Sequence, residues 1–253
     1  MIRVEHIPVA AADPRTVAVV TIDRRDKRNA LTPSLLENIV GVAKLVHAGQ
    51  GKAHAVVLAG AGPTFCAGFD LALCKDDPLA MPDLLTRLSQ AVRALRNLTV
   101  PVVAAVQRGA IAGGCALLAG CDFVIADADA RLGYPVVRLG VSPAVSSTTL
   151  RIAIGDGHTR ERLLDPELIS GAEALRIGLA HECVPTPDEV LPRAIELATD
   201  LAKKPHHAVV ATKRWINELD GSNDASLHGA ALQASLAIAG GEEERQRLQA
   251  IWK

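Results

Sequence analysis

Four short runs of β-branched and small apolar residues punctuate the first half of the chain, at 17–22, 55–59, 102–106 and 123–126. None alternates apolar with polar, so each reads as a strand buried on both faces, in a sheet covered by helices. Between the first two runs, Thr32 followed by Pro33 opens a helix. Apolar residues then recur at 35, 36, 39, 40 and 43, the spacing of one helical face. A second amphipathic stretch fills 82–97, ahead of the third strand. Beyond about residue 144 the strand signal thins. Helical patterns take over at 144–155, 171–178, 187–203, 206–219, 224–239 and 241–251. The order predicts an α/β core with a helical C-terminal third. The Ala- and Leu-rich stretch 225–239 suits either another subunit or the chain's own core.

Two glycine-centred segments interrupt this pattern: Phe65-Cys66-Ala67-Gly68-Phe69-Asp70 and Gly109-Ala110-Ile111-Ala112-Gly113-Gly114-Cys115-Ala116. Each follows a strand run and leads towards helix-like sequence, so each can leave bare backbone N–H groups facing a ligand. Two such donors converging on one oxygen would form an oxyanion hole. The plainer alternative is that Gly113 and Gly114 only permit a tight strand-to-helix turn.

Composition narrows the classes. The 253 residues are 49% hydrophobic but only 2% aromatic, so Ala and Gly must allow close helix packing. With 27 basic against 28 acidic side chains, there is no global field for nucleic acid. No signal peptide or membrane-spanning stretch is evident. The five cysteines show no C-x-x-C spacing, which suits free thiols in a cytoplasmic protein.

Taken in order, Asp26-Lys27-Arg28-Asn29-Ala30-Leu31, the 65–71 segment, the stretch from Pro101 to Asp122, Leu132-Gly133-Tyr134-Pro135 and 171–180 resemble the enoyl-CoA hydratase/isomerase (crotonase) superfamily. The resemblance spans nearly the whole chain. It implies a spiral of repeated ββα units over 1–195 and a helical region over 196–253 that builds trimers or hexamers. It also implies an acyl-CoA thioester as ligand, in fatty acid metabolism, with lyase or isomerase chemistry. No metal and no separate cofactor are expected, coenzyme A being part of the substrate. The oxyanion hole would be the N–H groups of Phe69 and Gly113. Ala67 and Asp70 would lie along the coenzyme arm, and Lys27 and Arg28 would meet its phosphates unless they are only a solvated charge run.

One departure from the family pattern matters. Hydration needs two carboxyl groups to handle one water and one proton. At the positions where family hydratases carry them, this chain has Ala116 and Val136. Tyr134 could donate a proton if its pKa were lowered, although packing is the plainer role. Arg138 could hold a substrate carboxylate or pair with a surface acid, and Asp76 or Asp77 could reach in from a loop. Asp122 reads as structural. Gly140-Val141-Ser142-Pro143-Ala144 lacks the final glycine of a nucleophile elbow, and His206-His207 has no ligand partner at i+4. The expectations are therefore a thioester-binding, enolate-stabilising protein without the hydratase acids, a silent acyl-CoA binder, or a decarboxylase or thioesterase on the same fold.

Overall fold

The computed structural model describes residues 1–75 and 77–251. In chain order the elements are β1 (Ile2–Pro8), β2 (Thr16–Ile22), α1 (Pro33–His47), β3 (Ala53–Gly60), α2 (Ala80–Arg96), β4 (Val102–Val106), β5 (Gly109–Ile111) and α3 (Gly113–Leu118). Then follow β6 (Phe123–Asp127), β7 (Arg131–Gly133), α4 (Ser147–Leu164), β8 (Ile169–Ser170), α5 (Gly171–Arg176), β9 (Glu182–Val184), α6 (Pro187–Ala202), α7 (His206–Leu219), α8 (Ala225–Leu236) and α9 (Glu242–Ile251).

The main sheet has six strands in the order β1-β2-β3-β4-β6-β9. All neighbours are parallel except the β1–β2 edge pair. Side chains alternate across a strand, so each apolar run serves two cores. Ala18, Val20, Ile22, Val56, Leu58 and Ala104 pack beneath α1 and α2. Val17, Val19, Ala55, Val57, Val103 and Ile125 face Val190, Ala194, Ala198 and Ala202 of α6. That row of alanines gives α6 a flat stripe, which lets it lie close on the sheet.

A smaller layer holds β5, β7 and β8. Isolated bridges Leu31↔Phe69 and Cys66↔Ala110 add the two earlier chain passages to the same side. Each turn of the chain thus gives one long strand to the main sheet and a short extended piece to the second layer. This is the expected spiral of ββα units with a helical C-terminal region. Among the described residues, no helix is long and apolar enough to cross a membrane.

Where the elements differ from the sequence reading, the cause is local. β1 is an exposed edge strand without an apolar run. The strands β5, β7, β8 and β9 are two or three residues long, too short to leave a period. The helix expected over 144–155 splits: Pro143–Ser146 is a 3-10 turn, and α4 runs on past Gly155, which takes φ 73° inside it.

Candidate functional site

The two glycine segments lie side by side. Cys66 N–H donates to Gly109 O at 3.2 Å and Ile111 N–H to Cys66 O at 3.0 Å. Glycine is required by this contact: a Cβ on Gly114 would stand 2.7 Å from Cys66 O, and one on Gly68 3.0 Å from Ile111 O at an already left-handed φ of +92°. Leu31 N–H bonds Gly68 O at 2.7 Å and Asp70 N–H bonds Leu31 O at 2.9 Å. That parallel bridge turns the intervening Phe69 N–H away from Leu31, and it has no acceptor among the described residues. Gly113 opens α3, where the first N–H groups of a helix lack internal partners; its N–H too has none among the described residues. A Cβ on Gly113 would stand 3.0 Å from the Phe69 ring, so the two unpartnered donors belong to touching residues. Ala112, just before the helix, is held at φ 50° and ψ −113° by its N–H bond to Gly133 O at 2.8 Å. Such a conformation costs about 1–3 kcal/mol and is kept where surrounding structure imposes it.

The residues around the first segment form a braced loop. Asn29, fully buried at φ 57°, donates to the carbonyls of Ala61, Thr64 and Phe65 at 2.8–3.1 Å. It also accepts from Arg24 N–H at 2.9 Å. Sequence reasoning quoted Asn29 within a motif but gave it no role; an Asn tolerant of left-handed φ was the available signal. Arg24 pairs with Asp70 at 2.7 Å. Ala67 N–H bonds Arg28 O at 3.0 Å, so these two candidate coenzyme-contacting residues are adjacent. Lys27 and Arg28 are exposed and make no ion pair among the described residues.

Ala116 is fully buried in α3, one turn below Gly113, and Val136 lies half-buried in the 3-10 turn Pro135–Leu139. Val136 packs with Phe69, Leu71, Leu139 and Leu236 against Met81, Leu85 and Val141. The surroundings of the donors are therefore apolar. Tyr134 is buried, its hydroxyl unpartnered among the described residues. Burial, then the neighbouring Cys115, pushes its pKa well above the ordinary tyrosine value, so it is held as a neutral phenol. Arg138 pairs with Glu167 on the surface, its plainer alternative. Asp77 accepts Leu79 N–H at 2.8 Å within the loop before α2; Asp76 lies outside the described residues. Asp122 accepts Val102 N–H at 2.7 Å and Lys213 Nζ at 2.6 Å, a structural role. Ser142 accepts Ala144 N–H, and no described group of three His, Cys, Asp or Glu could hold a metal ion.

Residues 12–236 match the family described as enoyl-CoA hydratase/isomerase. The chain belongs to the enoyl-CoA hydratase/isomerase family. It is 34% identical over 209 residues to a putative enoyl-CoA hydratase of Thermus thermophilus, covering 81% of this chain and 82% of that one. It is 35% identical over 204 residues to a short-chain-enoyl-CoA hydratase of Clostridium acetobutylicum, covering 79% and 77%. Among solved structures, an enoyl-CoA hydratase/isomerase from Mycobacterium paratuberculosis superposes with a TM-score of 0.86 at 27% identity, covering 98% and 97% of the two chains. Pseudomonas aeruginosa OdaA does so at 0.84 and 26%, covering 99% and 98%.

Within this family fold, a roomy cavity of about 820 Å³ lies at the other end of α3, against Leu118, Ala119, Asp122 and Lys213. Two ion pairs line it, Lys213 with Asp122 and Arg96 with Asp220, together with the exposed Lys204.

Proposed function

We propose that this chain binds an acyl-CoA thioester and stabilises its enolate through the N–H groups of Phe69 and Gly113. One observation carries the reading: two donors without acceptors, on touching residues, at the carboxyl ends of parallel strands where such sheets take ligands. Negative charge developing on the thioester oxygen would be met by preorganised dipoles, with α3 adding its N-terminal partial charge. Removing one such donor costs about 3–4 kcal/mol of barrier lowering. Ala67 and Asp70 would flank the coenzyme arm, with Asp70 oriented by Arg24. Lys27 and Arg28 would be free to meet phosphate, and the apolar cluster around Met81 and Val141 would receive the acyl group. The assembly would be a homotrimer or hexamer.

Hydration is not part of this proposal, because neither Ala116 nor Val136 can move a proton. Loss of CO₂ from a β-carboxyacyl thioester would form the enolate without proton abstraction, so decarboxylation suits the donors as they stand.

The test follows the enone absorbance of crotonyl-CoA beside a binding titration with the same compound. Binding without hydration is the expected result. Turnover at roughly 1–1000 per second would overturn the claim that the acids are missing, and failure to bind any CoA thioester would overturn the ligand class. Gly113→Pro removes one N–H at the first helical position, where a missing N–H breaks no helix bond, although its Cβ would press on the Phe69 ring at 3.0 Å. For an enolate-forming thioester it should lower turnover about 10²–10³-fold; a protein that only binds would lose affinity instead. Far-UV circular dichroism confirms that the variant folds.

A further inference from the structure

A buried carboxyl stands beside this site and takes no part in the proposal so far. Glu244, in the first turn of α9, is 3% exposed. Its Oε2 accepts the Gly240 N–H at 3.0 Å. Among the described residues no donor reaches Oε1, and no Lys, Arg or His pairs with the carboxyl. Oε1 is not sealed from solvent, so the residue is enclosed while one carboxyl oxygen stays open to a ligand, and groups so placed mark where charge is used.

Its position connects it to both halves of the pocket. A Cβ on Gly140, which ends the turn carrying Val136, would stand 3.0 Å from Glu244 N. A Cβ on Gly240 would stand 2.8 Å from Pro78 O, in the loop that follows Asp70. The start of α9 is therefore wedged between the loop after the first donor and the turn holding the vacant acid position. Cys74, which packs with Phe69 in the apolar cluster, feels the carboxyl directly. Burial first, then the charges of Glu244, Asp77 and Asp70, pushes its thiol up to about 11.

We infer that Glu244 is the proton-transfer carboxyl of this pocket, supplied by the C-terminal helix in place of side chains at 116 and 136. The inference rests on the thioester reading. In the step it would perform, the α-carbon C–H bond breaks and its proton passes to the Glu244 carboxylate. The C–H electron pair forms the double bond between the α-carbon and the carbonyl carbon. The carbonyl π pair moves onto the oxygen, where the N–H groups of Phe69 and Gly113 receive it. Reversal returns a proton, by then exchanged with solvent, to the carbon. Burial raises the Glu244 pKa, and the Gly240 bond offsets this only in part. That brings the carboxyl closer to neutrality, where a group can both take and return a proton.

The experiment incubates the full chain with butyryl-CoA in D₂O, reads deuterium at the α-carbon by mass spectrometry, and measures affinity by calorimetry. Expected are exchange by the wild type and a loss of about 10²–10⁴-fold in Glu244→Gln with affinity unchanged. Glutamine keeps an acceptor for Gly240, so a pure capping role would leave exchange intact. Glu244→Asp should retain part of the exchange and shift its pH profile, which supplies the readout if the glutamine variant does not fold. Exchange at the wild-type rate in Glu244→Gln, or a wild type that binds but does not exchange, overturns the inference. A wild type that fails to bind overturns the thioester reading instead.

Discussion

The two ends of the parallel strands treat buried polar groups in opposite ways. At the amino ends, Asp122 holds Val102 N–H and Lys213, Lys213 also donates to Val100 O at 2.9 Å, and Arg96 pairs with Asp220 at 2.7 Å. Burial pushes the Lys213 pKa down, and Asp122 opposes that shift. At the carboxyl ends, the Tyr134 hydroxyl has no described hydrogen-bond partner, Glu244 has a single backbone donor, and the N–H groups of Phe69 and Gly113 have no acceptor among the described residues. Buried polar groups are nearly always paired. Besides Tyr134, the described exceptions are Arg93 Nε in the last turn of α2 and Thr159 Oγ1 in α4, so the contrast between the ends lies in their charged groups and free backbone donors. The end whose ion pairs are closed, the saturated one for charge, supplies stability, and under the proposed function the other end supplies sites for a ligand's atoms.

The largest expected effect strikes the saturated end. Lys213→Met leaves the Asp122 carboxylate buried without its cation and should cost about 3–5 kcal/mol in urea unfolding. Thioester affinity of the folded fraction should be unchanged; a loss below about 1 kcal/mol would erase the contrast between the two ends.

Gly114→Ala tests the contact that brings the two donor segments together. Its Cβ would meet Cys66 O at 2.7 Å and Cys66 Cβ at 2.8 Å, so we expect about 1–3 kcal/mol of destabilisation together with loss of thioester binding. Gly229→Ala in α8 is the control. Nothing lies within 4 Å of that position, and a helical Ala should gain about 0.5–1 kcal/mol. Equal effects of the two substitutions would remove the packing argument.

The smallest effect is a sign rather than a size. The folded chain holds the Glu244 proton more tightly than the unfolded chain, whose carboxyl has a pKa near 4.5. Stability therefore declines as pH rises from about 4.5 towards the raised folded value, where the unfolded state has already released its proton. Glu244→Gln should be as stable as the wild type below pH 4.5 and more stable at pH 7, by urea titration at both. Destabilisation at pH 7 would place Glu244 with the saturated groups.

Much of the local structure around the candidate site was legible before the fold was known. The two glycine segments, the strands that deliver them and the Thr32 cap were read from local pattern. They reappear with Thr32 accepting Leu35 N–H at 3.2 Å. Asn29 and Arg24 were hidden in a charge run, because their value lies in bonds to residues more than thirty positions away or to a carboxylate across the loop. Glu244 was hidden for the same reason. In the sequence it is one of three consecutive glutamates, Glu242-Glu243-Glu244, and only the third is buried.

Residue type and spacing were enough to specify an α/β core with a helical C-terminal third and the two glycine segments, because each depends on neighbours along the chain. The spiral, and 116 and 136 as positions to inspect, came from the family resemblance. Which N–H groups stay unpartnered and which of three glutamates is buried depend on close approach of distant segments. Those approaches are set by packing of glycines 68, 114, 140 and 240 against backbone atoms, and that packing exists only once the chain has folded.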